Sequence, residues 1–296
     1  MLEHVPSFVV FVTLLNLAMS ADVTDVRNAL RDHSLIARTV LSVLVLVPMF
    51  ALGLTFIDAI PRQTQIALIL LAVAPGAPLA AKRATALGGT LPTAVALQTT
   101  VVLLGGLTAP LMLMGIARMH GAEADIPYES LAAQLLITQL VPLAMGMALR
   151  HFAPRVVGRI SAPLATIANL SMLLLSLVVV VKLTPYMRDL DGASWLALFT
   201  FSAFALTVGY LLGGPSPEDR SAVAVCSANR NLGLAVLIAS LLGDGHVGVK
   251  AMHLGPTITV FAVVNFGVST VAGQLWRRIE AREQASAREQ GASPTH

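Results

Sequence analysis

The chain has 296 residues, 56% of them hydrophobic and only 12% charged. Soluble domains carry roughly 25% charged residues, so this composition excludes an ordinary soluble globular domain. A single cysteine excludes an internal disulfide framework, and the net charge of +3 comes from basic residues between apolar blocks rather than from a nucleic-acid-binding patch.

Nine apolar blocks follow one another: Val5 to Ala21, Ile36 to Phe56, Ile66 to Ala81, Leu91 to Ala117, Leu131 to Leu149, Leu164 to Val181, Trp195 to Leu212, Ala222 to Leu242 and Thr257 to Leu275. Most approach the roughly 20 residues that a helix needs to cross the hydrocarbon of a bilayer. The third is short and runs into Lys82 and Arg83. The connections are short and polar, so residues 1–278 read as one transmembrane unit. Residues 279–296 read as a polar cytoplasmic tail, helical at first and then disordered.

Placing the N-terminus outside puts thirteen of the nineteen Lys and Arg residues in inside segments and five outside, with Arg230 inside a span. This asymmetry predicts N-out, C-in. The first block lacks the basic stretch of a secretory signal and reads as a mature span. The expected location is a bacterial inner (plasma) membrane, with the lipid bilayer as partner and no nucleic acid.

The chain resembles itself at a spacing of about 156 residues. "IPRQTQIALILLAVAPGAP" starts at Ile60 and "PSPEDRSAVAVCSANRNLG" at Pro215, aligning Pro61 with Pro217. In each, a proline opens an apolar half-helix that runs into an interruption. The first interruption is Pro75, Gly76, Ala77 and Pro78; the second is Asn229, Arg230 and Asn231. Proline lacks a backbone donor and breaks the hydrogen-bond ladder, and freed backbone groups cannot face lipid. Interrupted helices at matching positions of inverted repeats point to the binding site of a secondary transporter. Shifted by the same spacing, the first span lands on the sixth and the fourth on the ninth. The fifth has no partner, as though an opening helix of a five-helix unit were missing.

Arg230 is the most costly residue here, by roughly 2.5–3.5 kcal/mol on insertion scales. No Asp or Glu lies inside a span core to pair with it. It either binds carbonyls alone, as a structural charge, or also favours an anionic solute. Lys82 is a second cation-mimic candidate, or with Arg83 a plain interfacial anchor. Asn16, Gln98, Thr99, Thr100, Gln134, Gln139, Asn169 and Asn265 either line a cavity or tie helices together. Cys226 reads as a small buried hydrophobe, and His253 as an interfacial histidine. Nothing resembles a P-loop, a zinc cluster or a catalytic triad, so no enzyme activity and no metal or cofactor is expected.

Three stretches resemble the bile acid:sodium symporters. "AVAPGAPLAAKRATALGGTLPTAVALQTT" is similar to that family's Pro-Gly-Gly-Thr-Ala-Ser-Asn segment, crossing loop and following helix. "CSANRNLGLA" is similar to its Glu-x-Gly-Met-Gln-Asn-x-Gly-Leu-Ala segment, and "NLAMSADVTDVRNAL" to its early Met-Gly-Leu-x-Leu-x-x-x-Asp-Phe stretch. The resemblance implies an all-α polytopic membrane protein with nine transmembrane helices. Inverted repeats would supply two crossing broken helices to a core, with a panel beside it. It also implies alternating-access transport of a small-molecule solute, such as an organic anion. The ion and substrate region would be Pro75, Gly76, Pro78, Gln98, Thr99, Cys226, Asn229, Arg230, Asn231 and Asn265. In the family, hydroxyls, amides and one glutamate hold two sodium ions. Here Cys226 falls at the glutamate, Arg230 at a glutamine, Ala80 and Ala81 at a serine and an asparagine, and Ala94 and Gln98 on the following helix. Sodium remains possible, but the lost oxygens predict lost or weakened coupling. The alternatives are a solute-sensing pseudo-transporter and an arsenite-type efflux carrier.

Overall fold

The computed structural model describes residues 5–77, 79–119, 133, 136–236, 238–239 and 251–291. Among the described residues the regular structure is all helical. Helix α1 (Val5–Ser20) gives way to α2 (Val23–Leu30) at Asp22, whose carboxylate accepts the Thr24 N–H at 2.8 Å and caps α2. The two axes meet at 92°. Asp32 caps α3 (His33–Leu54) in the same way, accepting from Leu35 N–H at 2.9 Å. Helix α3 carries a π-helical turn at Leu41–Leu46. Then come α4 (Arg62–Val73), α5 (Ala80–Ala86) and α6 (Leu91–Met119). A π turn at Leu136–Leu140 leads into α7 (Val141–Phe152), followed by α8 (Pro154–Asp189) and α9 (Gly192–Leu212). Helix α10 (Pro217–Ala228) starts with Ser216 as its cap and Glu218 and Asp219 in its first turn, where acidic residues face the positive end of the helix dipole. Residues 232–236 are helical again, and α11 (Ala251–Gly291) is the last described helix. It ends at Gly291, within the polar tail.

Among the described residues, three helices are long and apolar enough to cross a bilayer: His33–Leu54, Gly192–Leu212 and Leu254–Ile279. The bent pair at residues 8–30 makes a fourth if counted as one span. Two of the nine apolar blocks are not single continuous spans, for a physical reason. The third and eighth blocks are each divided: α4 and α10 have 12 residues apiece, too short to span alone. Parts of the third, fifth and eighth blocks lie outside the described residues, as do Gln134 and the side chain of His253.

The two short helices sit at the centre. Every residue of α4 from Thr64 to Val73 is buried, and so is every residue of α10 from Ser221 to Ala228. A helix apolar and buried on all sides is enclosed by other helices. Helices α3, α6, α9 and α11 surround this pair, while α1 packs chiefly on α7 and α8. Within a bilayer, lipid tails are as apolar as leucine, so close contact of small residues drives helix packing. Gly209 of α9 shows this: a Cβ there would lie 2.6 Å from Ala224 Cα and 2.8 Å from the Val223 carbonyl oxygen. Gly146 lets α7 approach α1 as closely, a Cβ there meeting the Leu15 carbonyl oxygen at 2.6 Å.

Side-chain contacts define two ends. At one, the Arg38 guanidinium lies against Gly214, Gly88 faces Ser221, and Leu87 fills the space beside Gly273. At the other, Thr64 and Ser194 hydroxyls bond at 2.7 Å, and Gln63 Nε2 donates to Thr257 Oγ1 at 2.9 Å.

Candidate functional site

The site forms where the two interruptions meet. Helix α4 ends at Val73, and Ala74 leaves helical geometry at φ −104°, ψ 73°. Ala74 N–H closes a last tight turn on the Leu71 carbonyl. Pro75, with no N–H, stands where Ala72 would find its next donor, and Gly76 turns the chain to φ +76°. The end of α4 therefore presents unsatisfied carbonyls in the molecular interior. The second interruption supplies the donors. Asn231 N–H donates to the Ala74 carbonyl at 2.8 Å, and Arg230 Nη1 donates to the Ala72 carbonyl at 3.3 Å.

Arg230 Nη1 also donates to the Val43 carbonyl at 3.1 Å. That carbonyl is free because of the π turn in α3. Val47 N–H bonds Ser42 rather than Val43. The next position in the π register is Pro48, which has no N–H to give. One guanidinium nitrogen thus caps two carbonyls that prolines have left without donors. Its positive charge sits at the negative end of the α4 dipole. Arg230 is only 3% exposed, and no carboxylate pairs with it among the described residues.

The surrounding polar groups hold this arrangement. Asn231 Oδ1 accepts Leu234 N–H at 3.0 Å, capping the helical turn at residues 232–236. Asn229 Oδ1 accepts from Asn265 Nδ2 at 2.7 Å, and Asn265 Oδ1 accepts from Ser202 Oγ at 2.7 Å. This chain ties the second interruption to α11 and α9. Gln98 Oε1 accepts Ala81 N–H at 3.0 Å, satisfying an otherwise orphaned donor in the first turn of α5. Ser42 and Ser227 hydroxyls bond at 2.7 Å beside the Arg230 contact. Pro75 seats its ring against α6, where a Cβ on Gly105 would come within 2.4 Å of Pro75 Cγ.

Pro75, Gly76, Gln98, Asn229, Arg230, Asn231 and Asn265 are therefore all built into or around the two interruptions. Pro78 lies outside the described residues. Thr99 spends its hydroxyl on the Val95 carbonyl of its own helix at 2.8 Å. Lys82 is exposed and donates through Nζ to Asn169 Oδ1 on α8. Arg83 reaches α11, where Nη2 donates to the Phe266 carbonyl and the Ser269 and Thr270 hydroxyls, and its guanidinium lies 4.1 Å over the Phe266 ring. Both basic residues fasten α5 to neighbouring helices. Cys226 packs in one buried apolar cluster with Ala81 and Ala94. Among the described residues, no group of three or more His, Cys, Asp or Glu side chains is placed to hold a metal ion.

Sequence reasoning did not single out Ser42, Val43, Ala72, Ser202 or Ser227. Pro48 inside the second apolar block was the available signal for a free carbonyl one turn earlier.

The profile of the Sodium Bile acid symporter family matches residues 7–187, which include the first interruption and stop before the second. The chain is 24% identical to "Sodium/bile acid cotransporter 7" of Rattus norvegicus over 164 residues, covering 51% of this chain and 46% of that protein. It is 25% identical to "Sodium/bile acid cotransporter 7-B" of Xenopus laevis over 156 residues, covering 48% of this chain and 44% of that protein. With the Gallus gallus protein named "Sodium/bile acid cotransporter 7" it shares 24% identity over 139 residues, covering 43% and 41%. The chain spans about half the length of the curated relatives it matches.

Proposed function

This chain belongs to the sodium bile acid symporter family, and on that premise we propose that it is an alternating-access carrier of small organic anions whose sodium coupling is lost or weakened. The observation that carries the second half of the proposal is the clamp of Arg230 on the Val43 and Ala72 carbonyls. A fixed guanidinium fills, at the interruption, the electrostatic role of a bound cation: it neutralises carbonyl oxygens and a helix C-terminus. Unlike a bound ion it cannot dissociate, so it cannot draw on an ion gradient. The positions that the family resemblance assigns to oxygen ligands also speak for this. Ala81, Ala94 and Cys226 form a packed apolar cluster, and a hard cation needs oxygen donors in place of methyl groups and a thiol.

The architecture behind the proposal is nine spans in two inverted units. The half-helices α4 and α10, both 12 residues long, open the two crossing elements. Helices α1, α7 and α8 form the panel, and the rest form the core. The end rich in arginine, with Arg38, Arg220, Arg277 and Arg278, faces the cytoplasm, which gives N-out and C-in in a bacterial inner membrane. Without a coupling ion the protein works as a facilitator or exchanger, or uses protons.

Proteoliposomes loaded with buffer and offered radiolabelled organic anions, from acetate to cholate, test the carrier directly. Saturable, protein-dependent uptake of at least one anion is expected. Anion binding with no flux of any member of the set would contradict transport and identify a solute sensor instead.

A further inference from the structure

Arg230 spends one of its three nitrogens on the crossing. Nη1 serves the Val43 and Ala72 carbonyls, while Nε and Nη2 are buried and have no hydrogen-bond partner among the described residues. These two nitrogens share the lateral edge of the guanidinium, so the unused donors form one parallel N–H fork. Neighbouring acceptors are already engaged: Asn229 Oδ1 by Asn265, Asn231 Oδ1 by Leu234 N–H, and the Ala74 carbonyl by Asn231 N–H. A lateral guanidinium fork matches two coplanar oxygens on one carbon and binds them bidentately. We propose that Arg230 is the substrate-recognition residue, held at Nη1 by the two backbone carbonyls so that its Nε/Nη2 edge binds the carboxylate of the transported anion.

This inference rests on the carrier reading, because the fork has no exposed surface in this conformation and its ligand must enter through an opening motion. The pinned Nη1 gives the fork a fixed direction, which removes the side-chain entropy that a free arginine loses on binding. A carboxylate neutralises the guanidinium and fills both donors. A primary amide of the same shape supplies one acceptor and sets an N–H against the other donor. A lysine at the position keeps the charge and lacks the fork.

The test uses the purified full chain in detergent, in sodium-free buffer. Thermal unfolding is followed with potassium acetate, benzoate and cholate, each beside its primary amide, and with potassium chloride. At least one carboxylate is expected to raise the unfolding temperature where its amide does not. Arg230→Lys is expected to bind that carboxylate roughly tenfold more weakly or worse, as loss of a charged hydrogen bond implies. Equal stabilisation by amide and acid, stabilisation by chloride alone, no response to any carboxylate, or unchanged affinity in Arg230→Lys would each overturn the proposal. Should the lysine variant fail to fold, the acid–amide pairs on the wild type still decide. Anion flux without carboxylate preference sinks the fork and leaves the carrier standing; carboxylate binding without flux does the reverse.

Discussion

Arg230→Met is expected to destabilise the folded protein by roughly 2–4 kcal/mol and to abolish anion uptake. Methionine keeps most of the apolar volume of the stem, so the loss reports hydrogen bonding rather than a cavity. Two carbonyls, Val43 and Ala72, then remain in the interior without donors. Each orphaned buried group costs about 1–3 kcal/mol. Part of this is offset, because the variant no longer buries Nε and Nη2 unpaired. The sign still favours destabilisation, since in the observed registers the next backbone position facing each carbonyl is Pro48 or Pro75, which has no N–H to give. Reversible unfolding in detergent measures the effect. A variant as stable as the wild type would show that the clamp is incidental to the stability of the two interruptions.

Gly76→Ala is the second large effect expected, at roughly 2–5 kcal/mol, from two separable sources. Gly76 holds φ +76°, a region that costs an L-residue about 1–2 kcal/mol. A Cβ there would also stand 2.6 Å from Val102 Cγ2, a branched side chain on α6 with little room to turn. Overpacking of that kind costs about 1–3 kcal/mol. Adding Val102→Ala to the glycine variant removes the clash and leaves the dihedral strain, so the double variant should recover part of the loss. If the double variant gains nothing, Val102 is not the obstacle. If Gly76→Ala is neutral, the interruption is far looser than its hydrogen bonds imply.

The sequence made the two interruptions legible because each breaks a rule of the bilayer. Pro75 and Gly76 cannot continue a helix, and Asn229, Arg230 and Asn231 place polarity where hydrocarbon is expected. Their correspondence across about 156 residues was visible because a proline opens each half-helix. The partners of Arg230 were not legible. Every residue carries a carbonyl, and which carbonyl is free depends on hydrogen-bond register, which apolar composition does not encode. The π turn at Leu41–Leu46 lies in a run of Leu, Ser and Val that reads equally well as α-helix. The point at which a helix stops inside an apolar block was obscured for a related reason. Apolar length reports how much chain lies in hydrocarbon, but α4 and α10 each stop after 12 residues and join an interior that composition treats as one span. Lys82 reads as a charge near a break, yet its reach to Asn169 depends on α8 packing nearby, which local sequence does not contain.

The most direct test of the account replaces sodium. Initial uptake of the anion that shows the strongest saturable flux would be measured in proteoliposomes with external sodium, potassium or choline at constant ionic strength. The clamp of Arg230 and the apolar cluster of Ala81, Ala94 and Cys226 predict equal rates in all three. Several-fold stimulation by an inward sodium gradient in the wild type would contradict the account, because it would mean that a dissociable cation still binds where the fixed guanidinium is held to take its place.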